Sequence, residues 1–504
     1  MIKIIKKYKH TLVAASLATF MFGCNPPEDT NVDPNEPSKA STSFLLTSAE
    51  KVLVDNIWDE WANGRRGMQL SQYWASNQYS SESRYAFRTA QTNTLWSLYY
   101  AGVITDLNEI IRLNTESPED YEGFGAPENQ IAVAKILRAY MYQVITDTWG
   151  AAPYSQAGNP DEFLYPKYDS QEEIYTGIIN ELNEAIAAIN PSGTAVAGDA
   201  IYNGDMNKWR LFGNSLKLRV GMRIADVSPS LSQQTVSSAV SAGVFQSSAD
   251  NALFNYLSAA PNNNPLNQDR KTRADFAMSN VFVNELLELN DPRIAFYGAP
   301  TVSSSPSDPL NVQYVGEVYG LTENDAANTA DEGISQPSQL VLQPTSPGIL
   351  MTYAEVQFLL AEGVERGFVS AGSAAEYYNQ GITASMNYWS GGSLSDSDIA
   401  AYIAQPTVNY SALKASGEEW NVIIGQQKWI ALYMQGLEAW AEYRRLDFGI
   451  LQEPAAGALE GNGEIPTRIP YPLNEQSSNK ANYTQAVSSQ GADVLNTKLW
   501  WDTK

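Results

Sequence analysis

Aromatic and amide side chains alternate in a short segment early in the chain, between Gln69 and Tyr85. A flat ring offers an apolar face, and neighbouring amide, carboxylate and guanidinium groups can donate and accept hydrogen bonds. A neutral sugar presents the complementary surfaces, which are an apolar C–H face and a rim of hydroxyl groups. The segment therefore predicts a sugar-binding site with these candidate residues: Gln72, Tyr73, Trp74, Asn77, Tyr79, Arg84 and Tyr85.

The aromatic residues of this segment have a second interpretation. Either Tyr73 or Trp74, taken singly, also fits a core residue at the end of a helix. Polar neighbours such as Gln72 and Asn77 leave no apolar stripe that would draw Trp74 inward. We therefore expect an exposed Trp74 ring that stacks on the ligand.

Histidine and cysteine are almost absent from the chain, which has one of each, His10 and Cys24. A Ser-His-Asp triad, a thiolate nucleophile and the usual zinc ligand sets are therefore excluded for the rest of the sequence. No phosphate-binding P-loop pattern occurs either. An oxygen-only calcium site in the acidic loops stays open, but the segment Asn324–Asn328 lacks EF-hand spacing.

A pair of carboxylates is the remaining catalytic option, as in glycoside hydrolases. Two pairs have helical i, i+4 spacing, Asp55 with Asp59 and Glu438 with Glu442. Arginines follow the second pair directly, at Arg444 and Arg445. Both pairs therefore favour ordinary helix faces, solvated or paired with arginine, over a catalytic dyad.

The N-terminus has the pattern of an export signal. Basic residues precede an apolar run from Thr11 to Gly23, which is shorter than the roughly 20 residues needed to span a bilayer. Cys24 follows at once, so we predict a signal peptide over 1–23 and lipidation of Cys24, with an ordinary export signal as the alternative. Residues 24–44 are polar and Pro-rich, which predicts a flexible tether between the lipid and the folded chain.

The formal net charge of −24 restricts the partners of the chain. An acidic surface repels phosphate groups, so nucleic acid and an anionic membrane surface are excluded as direct ligands. Neutral or cationic partners remain.

Apolar residues recur with helical period in most of the chain, and strand signals are few and short. Capping boxes begin helices at Ser170–Glu173, Thr352–Glu355 and Ser373–Glu376. We predict a mainly all-α fold of degenerate tetratricopeptide-like helical hairpins, in a single domain over 45–504 with a loop-rich region at about 228–348. Five tryptophans on the apolar stripes are expected in the core: Trp96, Trp149, Trp209, Trp429 and Trp440.

Several motifs, in order behind the lipoprotein signal, resemble the SusD-like (SusD/RagB) outer-membrane lipoproteins. They are Asn31–Asn35, Asp147–Tyr154, Trp209–Arg223, Asn290–Arg293, Tyr353–Glu362, Gln427–Tyr433 and Glu438–Arg445. The resemblance implies an α-helical scaffold without catalytic activity that binds glycan at the surface of a Gram-negative cell. It also implies association with a SusC-like TonB-dependent transporter, which the protein would cover as a lid.

The resemblance also implies particular site residues. Trp74 and Asn77 are similar to a tryptophan and asparagine pair that forms part of the sugar platform in this family. A second wall in the family comes from loops in the middle of the chain. By location only, the matching candidates here are Gln268, Asp269, Tyr314 and Tyr319.

Together these observations predict a non-catalytic surface lipoprotein that captures a glycan and passes it to the transporter. The candidate loops contain no cluster of Lys and Arg, which favours a neutral glycan, with a β-glucan as one example. Two rivals remain, a carboxylate-dependent glycoside hydrolase and a peptide-binding scaffold that acts as a transporter lid. No cofactor is expected.

Overall fold

Helices account for 57 % of the computed structural model and strands for 4 %, so the mainly α-helical prediction is confirmed. The structure describes residues 41–301, 312–329 and 333–504. The predicted signal peptide, the lipid acceptor Cys24 and nearly all of the tether lie outside these residues. Helix α1 begins at Thr42, so the last residues of the predicted tether are helical instead. Residues Thr42–Lys504 form one compact unit.

Twenty-two α-helices and two π-helices follow one another in the described residues. The α-helices α1–α11 are Thr42–Trp58, Met68–Leu70, Thr89–Ser97, Thr105–Glu116, Pro118–Tyr121, Pro127–Trp149, Gln171–Ala188, Met206–Arg223, Pro229–Ala242, Pro265–Arg270 and Asn280–Glu288. Helices α12–α22 are Ile294–Tyr297, Glu323–Thr329, Gln339–Leu342, Tyr353–Glu365, Ala374–Ser390, Asp396–Ile403, Tyr410–Ser416, Trp420–Ala431, Gly436–Leu446, Leu473–Ser478 and Lys480–Gln490. The π-helices π1 and π2 are Glu60–Gly67 and Leu98–Ile104.

Consecutive helices pack against each other as pairs. Helix α6 packs on α7, α8 on α9, α15 on α16, and α19 on α20. This arrangement is the tetratricopeptide-like pairing that the apolar periodicity predicts. The five tryptophans expected in the core are all buried.

Two of the three predicted capping boxes are complete. The Ser170 and Ser373 side chains accept from the backbone N–H groups of Glu173 and Glu376, whose carboxylates accept in return. The third box is only half formed. Thr352 accepts from the Glu355 N–H, but the Glu355 carboxylate instead pairs with Arg219, 2.6 Å away.

The region 228–348 has more regular structure than the sequence predicts. It contains α9–α14 and strands β2 (Ala252–Phe254) and β3 (Phe276–Met278). Strand β1 (Trp74–Ser76) pairs antiparallel with β3, with Trp74 opposite Met278. Strand β2 pairs with β4 (Gly348–Met351). The region was expected to be loop-rich because its elements are short and rich in Ser, Asn and Pro, which also serve here as helix caps.

Buried ion pairs join the helices at the centre of the fold. The Glu442 carboxylate of α20 accepts from Arg223 of α8 (2.9 Å), Lys428 of α19 (2.6 Å) and Arg445 of its own helix (2.6 Å). Arg445 also pairs with Glu362 of α15. Burial opposes ionisation, but Arg445, Lys428 and Arg223 hold the pKa of Glu442 well below its usual value of 4.5.

Helix π1 touches helix α20 through two glycines. A Cβ on Gly67 would lie 2.7 Å from the backbone nitrogen of Leu437, and one on Gly436 would lie 2.3 Å from the backbone of Gly67. Real Cβ atoms do not approach backbone this closely, so any side chain would push the two helices apart.

Among the described helices, no segment is long and apolar enough to cross a membrane.

Replacing Glu442 by Gln should cost about 3–5 kcal/mol of unfolding free energy, because three buried cations would lose a shared anionic partner. Chemical denaturation monitored by circular dichroism measures this cost. Glu116→Gln is the matched control, since its ion pair with Arg112 lies at the surface, where such pairs contribute little. Equal midpoints for the two variants would contradict a central role for the buried cluster.

Candidate functional site

A polar cavity of about 220 Å³ lies beside helix π1. We call it the Arg65 cavity. Its lining combines two aromatic rings, three guanidinium groups and two carboxylates: Glu60, Trp61, Arg65, Tyr79, Arg88, Asp269 and Arg273.

Helix π1 supplies one wall of the cavity. Its N-cap is Asp59, whose carboxylate accepts from the backbone N–H groups of Trp61 (2.9 Å) and Ala62 (2.6 Å). Burial and the neighbouring Glu60 raise the pKa of Asp59 to about 7, although the two hydrogen bonds to its carboxylate lower it. Trp61 and Arg65 stand four residues apart on this helix, and both side chains line the cavity.

Arg65 is the buried donor of the site, with a side chain only 3 % exposed. Its Nη2 donates to Asp275 at 2.5 Å. Its Nε and Nη1 are buried and have no hydrogen-bond partner in the described residues, although Nη1 lies 3.7 Å from Glu82. Burial lowers the pKa of Arg65, and Glu82 and Asp275 oppose this. A buried N–H group without an acceptor costs free energy, so these two donors favour a ligand that supplies one.

The guanidinium groups and rings of the cavity lie close to one another. Arg65 is 5.2 Å from the centre of the Trp61 ring and 5.4 Å from that of Tyr79. Arg88 is 5.2 Å from both ring centres, and Arg273 is 4.7 Å from that of Tyr79. These distances are typical of cation–π contacts, which fix the rings and arginines relative to one another.

Carboxylates balance the arginines. Arg88 pairs with Glu82 at 3.0 Å and Arg273 with Asp275 at 2.6 Å. Two further acids, Glu60 and Asp269, line the cavity itself. Burial, together with the charges of Glu60 and Asp275, raises the pKa of Asp269 to about 6. The site is therefore not a cationic patch in spite of its three arginines.

Tyr79 is 42 % exposed and has a left-handed backbone with φ of 57°. Its backbone N–H donates to the Glu323 carboxylate at 2.9 Å, and the Ser80 N–H donates to the same group at 2.8 Å. Left-handed backbone is unfavourable for a residue with a bulky side chain. Glu323, on helix α13, holds the backbone in this conformation and so directs the ring to the cavity.

The structure places two of the eleven predicted glycan-binding residues in this cavity, Tyr79 and Asp269. The exposed platform expected at Trp74 is wrong. Trp74 is 1 % exposed, its ring stacks on Phe276 with 5.5 Å between centres, and its indole N–H donates to Tyr433 at 3.1 Å. Strand β1 directs the Trp74 side chain toward the core, so the ring cannot stack on a ligand.

The polar and aromatic neighbours of Trp74 are buried too, contrary to the sequence prediction. Gln72 is fully buried, and its amide is satisfied by two hydrogen bonds with the Gln452 backbone. Tyr73 stacks on Trp429. Asn77 donates to the Ala274 carbonyl at 3.4 Å. All three groups connect β1 to the rest of the fold and none lines the cavity.

The remaining predicted residues also lie away from the cavity lining. Tyr85 and Tyr319 are buried next to each other. Arg84 donates to backbone carbonyls of Ala456 and Gly457. Tyr314 packs half-buried against the core, and Gln268 accepts from Lys271 at the surface.

Five cavity residues were missed: Glu60, Trp61, Arg65, Arg88 and Arg273. The sequence prediction of no Lys and Arg cluster concerned the candidate loops alone. The three arginines of the cavity, residues 65, 88 and 273, are distant in sequence and meet only in the folded chain. A usable signal was the Trp61 to Arg65 spacing directly after the cap Asp59. It places a ring and a cation on one side of a helix.

The two carboxylate pairs are structural, as favoured from the sequence. Asp55 pairs with Lys51 and accepts from Tyr256, and Asp59 caps π1. Glu438 pairs with Arg223, and Glu442 belongs to the buried cluster. The segment Asn324–Asn328 lies within helix α13. The described residues contain no group of three or more His, Cys, Asp or Glu that could hold a metal ion.

Comparisons with known proteins define the family. The sequence profile of SusD-like_2, described as "Starch-binding associating with outer membrane", matches residues 34–472. The chain therefore belongs to the SusD-like family. No curated protein matches.

Solved structures agree over nearly the whole chain. A chitin-binding protein has a TM-score of 0.80 at 28 % identity, covering 92 % of this chain and 100 % of its own. A SusD homologue from Bacteroides uniformis has a TM-score of 0.77 at 26 % identity, covering 92 % and 100 %. A chitin-binding SusD homologue from Flavobacterium johnsoniae has a TM-score of 0.77 at 25 % identity, covering 91 % and 99 %.

Trp74→Ala should destabilise the fold by about 3–5 kcal/mol, because it removes a buried ring and leaves a void in the core. Thermal and chemical unfolding measure the loss. A variant with wild-type stability would mean that Trp74 is not packed as described, and would restore it as a candidate for the ligand platform.

Proposed function

We propose that the protein captures a glycan in the Arg65 cavity. The observation that carries this proposal is the buried Arg65, which lines the cavity with Trp61 and Tyr79 and has two N–H groups without an acceptor among the described residues. Sugar hydroxyl or amide oxygens would accept from these groups, and the C–H face of a sugar would lie against a ring. Glu60 and Asp269 would accept from further hydroxyls.

A neutral glycan is the class that fits the charge of the site. Three arginines face four acids, which are Glu60, Glu82, Asp269 and Asp275, within a chain of net charge −24. A carboxylated or sulfated sugar would gain little from this balance. Two similar structures are chitin-binding proteins, so N-acetylated sugars come first, and the acetamido carbonyl is a good acceptor for Arg65. The other candidate ligands are starch-type glucans, which the family description names, and β-glucans.

Trp61→Ala should weaken binding of whichever tested tetrasaccharide the wild type binds by roughly 5- to 150-fold. This is the equivalent of about 1–3 kcal/mol for one stacking ring. Arg65→Lys should also weaken it, because lysine keeps the charge but loses the guanidinium fork. Calorimetry with tetramers of N-acetylglucosamine, α-1,4-glucose and β-linked glucose identifies the ligand and measures both effects.

Trp420→Ala is the matched control, since Trp420 is half-buried with Arg366 5.0 Å from its ring centre but lies outside the cavity. If Trp420→Ala weakens binding as much as Trp61→Ala, or if no tetramer binds the wild type, the assignment of the site fails.

A glycoside hydrolase is the second candidate, and one observation favours it. Glu60 and Asp269 line the same cavity, and the pKa of Asp269 is raised to about 6, as suits a general acid. We favour binding without turnover, because carboxylates in a sugar site also serve as plain acceptors. A reducing-end assay over several hours separates the two, and new ends that vanish in Asp269→Asn would establish hydrolysis.

We further propose that the protein is anchored at the outer membrane through lipidated Cys24 and passes its glycan to a SusC-like TonB-dependent transporter. The support is the export pattern before Cys24 and the family to which the chain belongs.

Cys24→Ala should release the protein from outer-membrane fractions in a strain without the transporter, because the acyl chains are its only proposed membrane contact. Fractionation and immunoblotting check this. Retention of the variant in the membrane would overturn the anchor.

The partnership with the transporter has its own test. In a strain that has the transporter, failure of wild-type protein to co-purify with it would overturn the partnership.

A further inference from the structure

A second cavity, of about 410 Å³, lies near the end of the chain. Helix α22 forms one wall with Gln485, Ser489 and Gln490, the first turn of α7 contributes Glu172, and the C-terminal segment contributes Lys498 and Trp500. We call it the C-terminal cleft. None of these residues lines the Arg65 cavity.

The walls of the C-terminal cleft are fixed by the side-chain amides of two glutamines, one buried and one half-buried. The Gln171 side chain accepts from the Trp500 backbone N–H at 2.7 Å and donates to the Thr146 carbonyl at 2.8 Å. Gln490 donates to the Trp149 carbonyl at 3.0 Å. The backbone of Trp500 is thus held in place before any ligand arrives, which lowers the entropic cost of binding.

The groups that face the cleft have hydrogen-bonding capacity to spare. Lys498 and Glu172 both line it with exposed side chains, and neither is within ion-pair distance of the other or of another described residue. The Trp500 indole N–H and the Gln485 amide likewise have no hydrogen-bond partner among the described side chains. One cation, the two carboxylates of Glu172 and Glu173, an amide and a half-buried indole therefore surround one space.

We propose that the C-terminal cleft is a second subsite for a neutral glycan, a proposal that rests on the proposed function. Lys498 and the indole N–H would donate to hydroxyls, Glu172 would accept from them, and Gln485 would do both. The Trp500 ring supplies an apolar face. Two carboxylates against one lysine disfavour an anionic ligand, and none of the lining residues lies in a β-strand that could pair with an extended peptide.

Titration calorimetry with the same three tetramers tests the second subsite. We expect two binding events per wild-type chain for the recognised tetramer. Ser489→Trp should abolish one of them, because an indole at this exposed position fills the cleft without removing any packing. Ser488→Trp is the matched control, since Ser488 is its exposed neighbour on α22 and does not line the cleft. Trp61→Ala should abolish or weaken the other event only.

The outcomes separate the two proposals. A single event that Trp61→Ala weakens and Ser489→Trp leaves unchanged overturns the second subsite and keeps the Arg65 cavity. A single event lost only in Ser489→Trp supports the C-terminal cleft and overturns the Arg65 cavity. Lys498→Ala, an exposed change that should not affect folding, must then weaken the event assigned to the cleft at least about threefold. An unchanged affinity counts against the subsite.

Discussion

The shared carboxylate of Glu442 is the interaction on which the rest of the structure depends. It accepts from cations on α8, α19 and α20, and Arg445 extends the cluster to Glu362 on α15. Desolvating such charges is costly, so the cluster is stable only when every partner is present. The cluster also favours one arrangement of the helices, because only that arrangement pairs all of these buried charges. In a chain with one cysteine, no intrachain disulfide can supply this constraint.

The candidate site takes its rigidity from this centre. Helix α20 carries Glu442, and its first residue, Gly436, lies in backbone contact with Gly67 at the end of π1. Helix π1 in turn positions Trp61 and Arg65. The path from the ionic cluster to the Arg65 cavity is therefore short and runs through backbone rather than flexible side chains. A binding site built in this way loses little conformational freedom when a ligand enters it.

The sequence predicted the scaffold better than the site, for a physical reason. Helical periodicity and the Ser170 and Ser373 capping boxes are local signals, and the structure confirms them. Burial of Trp74 depends on β3, some 200 residues away, and its polar neighbours bond to backbone that is also distant in sequence, as with Gln72 and Gln452. Polar neighbours in sequence therefore did not imply exposure. The three arginines of the cavity likewise come from separate segments, so the local spacing of Trp61 and Arg65 could indicate only one of them.

The backbone conformation of Tyr79 bears on which residue types are expected at position 79. It combines an exposed aromatic ring with a left-handed backbone, a conformation that costs an ordinary residue about 1–2 kcal/mol and glycine almost nothing. Selection for stability alone would drive this position toward glycine and erase the ring. Persistence of an aromatic residue at position 79 among close relatives would therefore be a sign of selection for binding. Replacing Tyr79 by glycine to relieve the backbone would therefore favour stability at the expense of the aromatic ring in the Arg65 cavity.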